Sequence, residues 1–104
     1  MSRTPLPPFL QRLASVDPTF VDEVIRIREE AYYTEGALSV KTKVLIALAL
    51  DLFSGSALGT ALLAERARAA GATEAEIAEV VRVCYSVAGL QRMATAVHAF
   101  PTDP

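Results

Sequence analysis

The stretch Val44-Leu45-Ile46-Ala47-Leu48-Ala49-Leu50 contains no polar position. As a helix it is apolar on every side, and such a helix must be enclosed. A chain of 104 residues has little material left to enclose it. Hydrophobic residues make up 52% of the sequence, slightly above the usual share for a globular domain. The surround must therefore come from lipid or, in part, from another subunit.

Lipid is the weaker answer. From Val44 to Ala64, 21 positions, the sole charge is Asp51. That length could span a bilayer. Asp51 would then sit in the inner half of the span, at a cost of roughly 2.5–3.5 kcal/mol. Ser54, Gly55, Ser56, Gly59 and Thr60 lower the hydropathy further, and a break at Ser54-Gly55 gives two shorter helices. The pattern favours a buried helix in a self-associating protein.

The rest of the chain also reads as helix. Residues 1–16 form an irregular, Pro-rich lead with about one turn of helix near Phe9 to Leu13. It holds no long apolar core, so it does not resemble a signal peptide. Asp17 offers an N-cap and Pro18 suits a first helical position. Phe20, Val24, Ile27 and Ala31 then give an amphipathic helix over about 18–33. Asp22, Glu23, Arg26, Arg28, Glu29 and Glu30 form its wet side, and Gly36 marks a turn.

Ser39 caps a helix over about 40–53. The next runs from about Ser56 to Ala70, closed by Gly71 in a left-handed conformation. Thr73-x-x-Glu76 is a capping box opening another helix. Its apolar stripe is Ile77, Val80, Val81, Cys84, Val87 and Ala88, with Gly89 as its end. A last helix spans about 90–99, followed by a loose tail over 101–104. Gly55-x-x-x-Gly59 sets small residues at helical spacing, which suits a tight helix crossing.

Charge and cysteine content narrow the function. The formal net charge is −2, with Lys and Arg scattered. That is no footprint for nucleic acid. The single cysteine, Cys84, excludes an internal disulfide and a Cys-rich zinc site. One thiol is compatible with a reducing cytoplasm.

The Lys41-Thr42-Lys43-Val44-Leu45-Ile46-Ala47-Leu48-Ala49 run and the string Gly71-Ala72-Thr73-x-x-Glu76-Ile77-x-Glu79, followed by Gly89, stand at a telling separation. This layout, over about residues 37–100, resembles the carboxymuconolactone decarboxylase and alkylhydroperoxidase-D-like family. The resemblance implies a compact all-α bundle of five or six helices, one domain over 1–104, and a trimer or hexamer. It also implies a peroxidase or a lactone decarboxylase.

Redox members carry Cys-x-x-Cys and a nearby His on the helix before the Gly-Ala-Thr turn, with a glutamate on the preceding helix. There a thiolate attacks peroxide, a second thiol resolves the sulfenic acid, and Glu and His move protons. The matching positions here are Ser56, Gly59 and Leu63, with Val44 for the glutamate. Leu58 stands where some members place a second His. None is a thiol or a titratable base. Decarboxylase members keep the His, which Leu63 also replaces.

Other candidates are few. Cys84 is a one-cysteine nucleophile or a small hydrophobe on its stripe. His98, near the end of the last helix, is an isolated base or a residue favourable to the helix dipole. Asp51 either reaches a helix terminus or faces a pocket. Asp51, Ser56, Thr60, Leu63, Tyr33 and Tyr85 are the candidate pocket residues. Ser54 and Ser56 are better read as helix caps than as nucleophiles, for no base is placed to activate them. The expectation is a cytoplasmic, non-redox homo-oligomer that binds a small apolar ligand or a partner. It takes no cofactor or metal, inserts in no membrane and binds no nucleic acid. The antioxidant or decarboxylase enzyme is the alternative.

Overall fold

The structure, a computed structural model, describes residues 6–102. The first five residues of the expected lead and the last two of the expected tail lie outside the described residues. Five α-helices follow one another: α1 (Pro8–Ala14), α2 (Pro18–Tyr32), α3 (Val40–Ser54), α4 (Ala57–Ala69) and α5 (Glu74–Ala96). A short 3-10 turn, Val97–Ala99, closes the series. The described residues contain no strand, so the all-α bundle expected from sequence is the fold.

Caps decide where each helix begins and ends. Asp17 accepts a hydrogen bond from the Phe20 amide (3.2 Å), with Pro18 at the first position of α2. Ser39 accepts from the Thr42 amide (3.1 Å) and starts α3. At the end of α3, Gly55 sits at φ 82°, a conformation that favours glycine. The Ser56 amide then reaches back to the Asp51 carbonyl (3.0 Å) and the Gly55 amide to that of Leu52 (3.3 Å). Those two bonds satisfy carbonyls that the helix end would orphan. Ser56 immediately caps α4 through the Gly59 amide (3.1 Å).

Gly71, at φ 99°, ends α4 in the same manner, with the Ala72 amide on the Ala67 carbonyl (2.8 Å). The Thr73 capping box is complete. Its hydroxyl accepts from the Glu76 amide (3.1 Å), and the Glu76 carboxylate accepts from the Thr73 amide (2.8 Å). Arg68 spans this turn with two bonds to Glu74 (2.7 and 3.0 Å).

The core lies where α3, α4 and the α4–α5 turn meet. Val44, Ala67 and Ala72 are buried there, with Tyr32, Val40, Leu45, Leu63 and Ile77 against them. Ala67 has no exposed surface, and its small side chain lets α4 close on α3. Leu48, Val21 and Leu10 are the other buried large side chains. Lys41 pairs with Glu76 (2.8 Å), tying the start of α3 to the first turn of α5.

Three expectations need correction. Gly89 does not end a helix. α5 runs through it for 23 residues, because an isolated glycine costs about 1 kcal/mol of backbone entropy but keeps its place in the hydrogen-bond ladder. The separate helix over 90–99 is therefore the end of α5 and the 3-10 turn. On α2 the buried face is rotated from the expected one. Val21, Val24, Ile25, Arg28 and Tyr32 point inward, whereas Phe20, Ile27 and Ala31 are exposed. The Gly55/Gly59 pair is no crossing face either, since Gly55 forms the corner outside α4.

The apolar surface is not closed. The radius of gyration is 17.7 Å, against about 13 Å for a chain of this length folded alone. No residue of α5 is buried. Its expected stripe is half covered at Ile77, Val80, Cys84 and Ala88, while Val81 and Val87 are exposed. On α3, Ile46, Leu50 and Phe53 form a second uncovered stripe. No helix among the described residues is long and apolar enough to cross a membrane.

Candidate functional site

A partly enclosed cavity of about 640 Å³ opens between α2, α4, the end of α3 and the segment leading into α1. One face of α4 supplies Gly59, Leu62, Leu63 and Arg66, at i, i+3, i+4 and i+7, with Leu58 beside them. The end of α2 supplies Arg28, Tyr32 and Tyr33. Asp51 and Ser56 stand at the α3–α4 corner, and Leu6 to Phe9 form the remaining wall.

Four of the six residues expected at a pocket meet here: Tyr33, Asp51, Ser56 and Leu63. Thr60 and Tyr85 do not line this cavity. Thr60 lies one residue round the helix from Gly59. Tyr85 lines a shallower groove of about 260 Å³ with Cys84, Phe53 and Arg92, on the far side of α3. Of the family-motif positions, Ser56, Leu58, Gly59 and Leu63 face the cavity. Val44 is buried in the core instead.

Gly59 and Asp51 are fitted to each other. A Cβ built on Gly59 would collide with the Asp51 Oδ2 and lie 2.9 Å from its Cγ. The Asp51 carboxylate therefore occupies the space that a side chain at position 59 would take. It also lies by the first turn of α4, where the helix dipole favours a negative charge. Ser56 is engaged as the α4 cap, which matches the capping role expected of it.

Arg28 and Arg66 are the cavity residues that sequence reasoning missed. The Arg28 guanidinium lies 5.4 Å from the Tyr33 ring centre and 5.7 Å from that of Tyr32. The Arg66 guanidinium lies 6.0 Å from the Tyr33 ring. These distances are in the cation–π range. The Arg28 Nε donates to the Tyr32 hydroxyl (2.7 Å). Burial pushes the Tyr32 phenol up, against the opposing pull of Arg28. Tyr32 thus holds its proton at neutral pH. The Tyr33 hydroxyl is buried with no hydrogen-bond partner among the described residues. An orphan of that kind costs about 1–3 kcal/mol. The signal for Arg28 was its spacing, seven residues after Val21 and four before Tyr32. For Arg66 it was the i+3 step from Leu63.

Cys84 and His98 lie elsewhere. The Cys84 thiol points at the Ala49 carbonyl of α3 (3.7 Å) and is half-buried. His98 is exposed on the 3-10 turn. No group of three or more His, Cys, Asp or Glu side chains among the described residues is placed to hold a metal ion.

Among the described residues the fold is an all-α bundle with a largely apolar cavity at a helix junction, whose wall carries arginine and tyrosine and no thiol. The profile of the carboxymuconolactone decarboxylase family matches residues 18–101, and the chain belongs to that family. No curated protein and no solved structure matches it.

Proposed function

We propose that this chain is a non-redox member of its family, a homo-oligomeric protein that binds a small apolar ligand in the cavity between α2 and α4. One observation carries the reading. The family-motif positions that face the cavity are Ser56, Leu58, Gly59 and Leu63, so its wall presents no thiol and no imidazole. The volume is in the range of small-molecule sites.

Self-association is supported by surface area. A folded monomer of this mass exposes about 5,700 Å². The chain exposes 7772 Å². The excess, about 2,100 Å², matches what one subunit gives up in an obligate assembly. Leu90 and Met93 on the end of α5, Val97 and Phe100 just beyond it, and Leu50 and Phe53 on α3 are among the large apolar side chains left exposed. A trimer or hexamer is the proposed assembly. The lone free thiol is compatible with a cytoplasmic location.

Native mass spectrometry tests both halves, since it reports subunit count and retained small molecules together. A homogeneous monomer would overturn the assembly. Family membership favours a second reading, a hydroperoxidase or lactone decarboxylase. For the peroxidase, the available thiol is Cys84, which lies in the groove against α3 and away from the cavity. Peroxide consumption that a thiol-blocking reagent abolishes would favour that enzyme. Peroxide turnover that survives Cys84→Ala would overturn the claim of an inactive site in either form.

A further inference from the structure

The cavity has a charge pattern that its apolar lining does not explain. Arg28, Arg66 and Asp51 give its wall a formal charge of +1. Neither guanidinium is paired with a carboxylate among the described residues. Arg28 spends its Nε on the Tyr32 hydroxyl, and Arg66 makes only its contact with the Tyr33 ring. Both are half-buried. Arg26 pairs with Glu30, and Arg68 with Glu65 and Glu74, whereas the exposed Arg12, Arg82 and Arg92 form no ion pair among the described residues; what sets Arg28 and Arg66 apart is that they are half-buried without one. Asp51 forms no ion pair with either arginine among the described residues; its carboxylate is packed over Gly59 at the α4 corner.

We propose that the cavity takes an apolar carboxylic acid, its body against Phe9, Leu58, Leu62 and Leu63 and its carboxylate on Arg28 and Arg66. This rests on the reading of the cavity as a ligand site. Guanidinium groups match a carboxylate in shape and form short, charge-assisted hydrogen bonds with it. Both guanidiniums lie against the Tyr33 ring, 5.4 and 6.0 Å from its centre, which brings the two positive groups to one wall of the cavity. Two like charges held against one ring repel each other, and an anion between them removes that repulsion. A neutral apolar ligand would leave both arginines without a counter-charge. A cationic one would meet two like charges.

The test is calorimetric titration of the full chain, at low ionic strength, with decanoate, decan-1-ol and decylammonium. These share one apolar body and differ in head charge. Decanoate should bind more tightly than decan-1-ol by about tenfold or more, the usual effect of a charge-assisted bond. Arg66→Gln should remove most of that advantage, weakening decanoate far more than decan-1-ol. Arg66→Lys should keep part of it. The comparison in the unaltered chain does not depend on how the variants fold. Equal affinity for decanoate and decan-1-ol, or preference for decylammonium, would refute the carboxylate assignment while leaving the cavity a ligand site. Failure of all three to bind would refute the ligand-site reading itself.

Discussion

Replacing Gly59 by alanine tests the fit between α3 and α4 directly. In an ordinary helix this substitution stabilises by up to about 1 kcal/mol, because glycine has more backbone freedom to lose. Here the added Cβ meets the Asp51 carboxylate head-on and stands 2.8 Å from the Ser56 Oγ. Asp51 must leave its place, and a side chain driven about 30° off its rotamer loses roughly 0.5–1.5 kcal/mol. The helix gain is thus cancelled. In an Asp51→Ala background the obstruction is gone, and the contact with Ser56, common to both backgrounds, drops out of the comparison. The double-mutant cycle should therefore give a coupling of about 1 kcal/mol between positions 51 and 59. In thermal melts followed by circular dichroism, that is a difference of about 4–8 °C in the effect of Gly59→Ala. All four proteins must be compared at one protomer concentration, since assembly shifts the midpoint. An equal effect of Gly59→Ala in both backgrounds would show that Asp51 does not occupy the space over Gly59.

Three further outcomes follow from other parts of the molecule. Thr73→Ala removes the hydroxyl half of the α5 capping box, leaving the backbone amide of residue 73 on the Glu76 carboxylate, and should lower stability by about 0.5–2 kcal/mol, measured by urea denaturation; no change in midpoint would contradict its role. The hydrogen bond from Lys41, then that from the Thr73 amide, holds the Glu76 carboxyl below its usual value. Its contribution is present above the unfolded value near 4.5 and is lost as pH falls through the lower folded value. Midpoints recorded across that window should fall less steeply for Glu76→Gln, and an unchanged slope would argue against it. Leu90→Glu and Met93→Glu on α5 should reduce the oligomer to smaller species in sedimentation velocity, with helicity retained; an unaltered assembly would exclude this face as the contact.

Much of the fold was legible because its punctuation is local. Asp17-Pro18, Ser39, Gly71 and Thr73-x-x-Glu76 each fix a helix end through atoms within a few residues, and each acts as the sequence implied. The α2 face was not legible. Its inward stripe is set by contact with α1 and α3, and Val21 and Ile25 were as good a guess from spacing as Phe20 and Ile27. That rotation also hid Arg28, which reads as solvent-facing until Tyr32 is known to point inward. Gly89 was misjudged for a different reason. A glycine lowers helix stability by an amount that neighbouring turns can offset, so its presence alone does not place an end. Of the candidate pocket residues, Asp51, Ser56, Leu63 and Tyr33 line one cavity, Ser56 and Leu63 having been placed through the family resemblance. The guanidinium pair was not, because a long side chain's direction depends on which partner helix it meets.

The Asp51–Gly59 fit bears on the proposal that this chain is a non-redox member of its family. Position 59 carries no side chain, and a carboxylate from α3 fills the space above it. A thiol there would need Asp51 to move first. Position 44 is equally committed. Val44 is buried against Ala67 and Ala72, where an ionised glutamate would lack both water and a partner. Burying it unpaired would cost several kcal/mol, a large part of the stability of a domain this small. The combined substitutions Ser56→Cys, Gly59→Cys and Leu63→His would therefore not rebuild the relay on their own, since the space around these positions is shaped for other residues. The same geometry leaves one face of α4 apolar up to Arg66, the face that the proposed acid site uses.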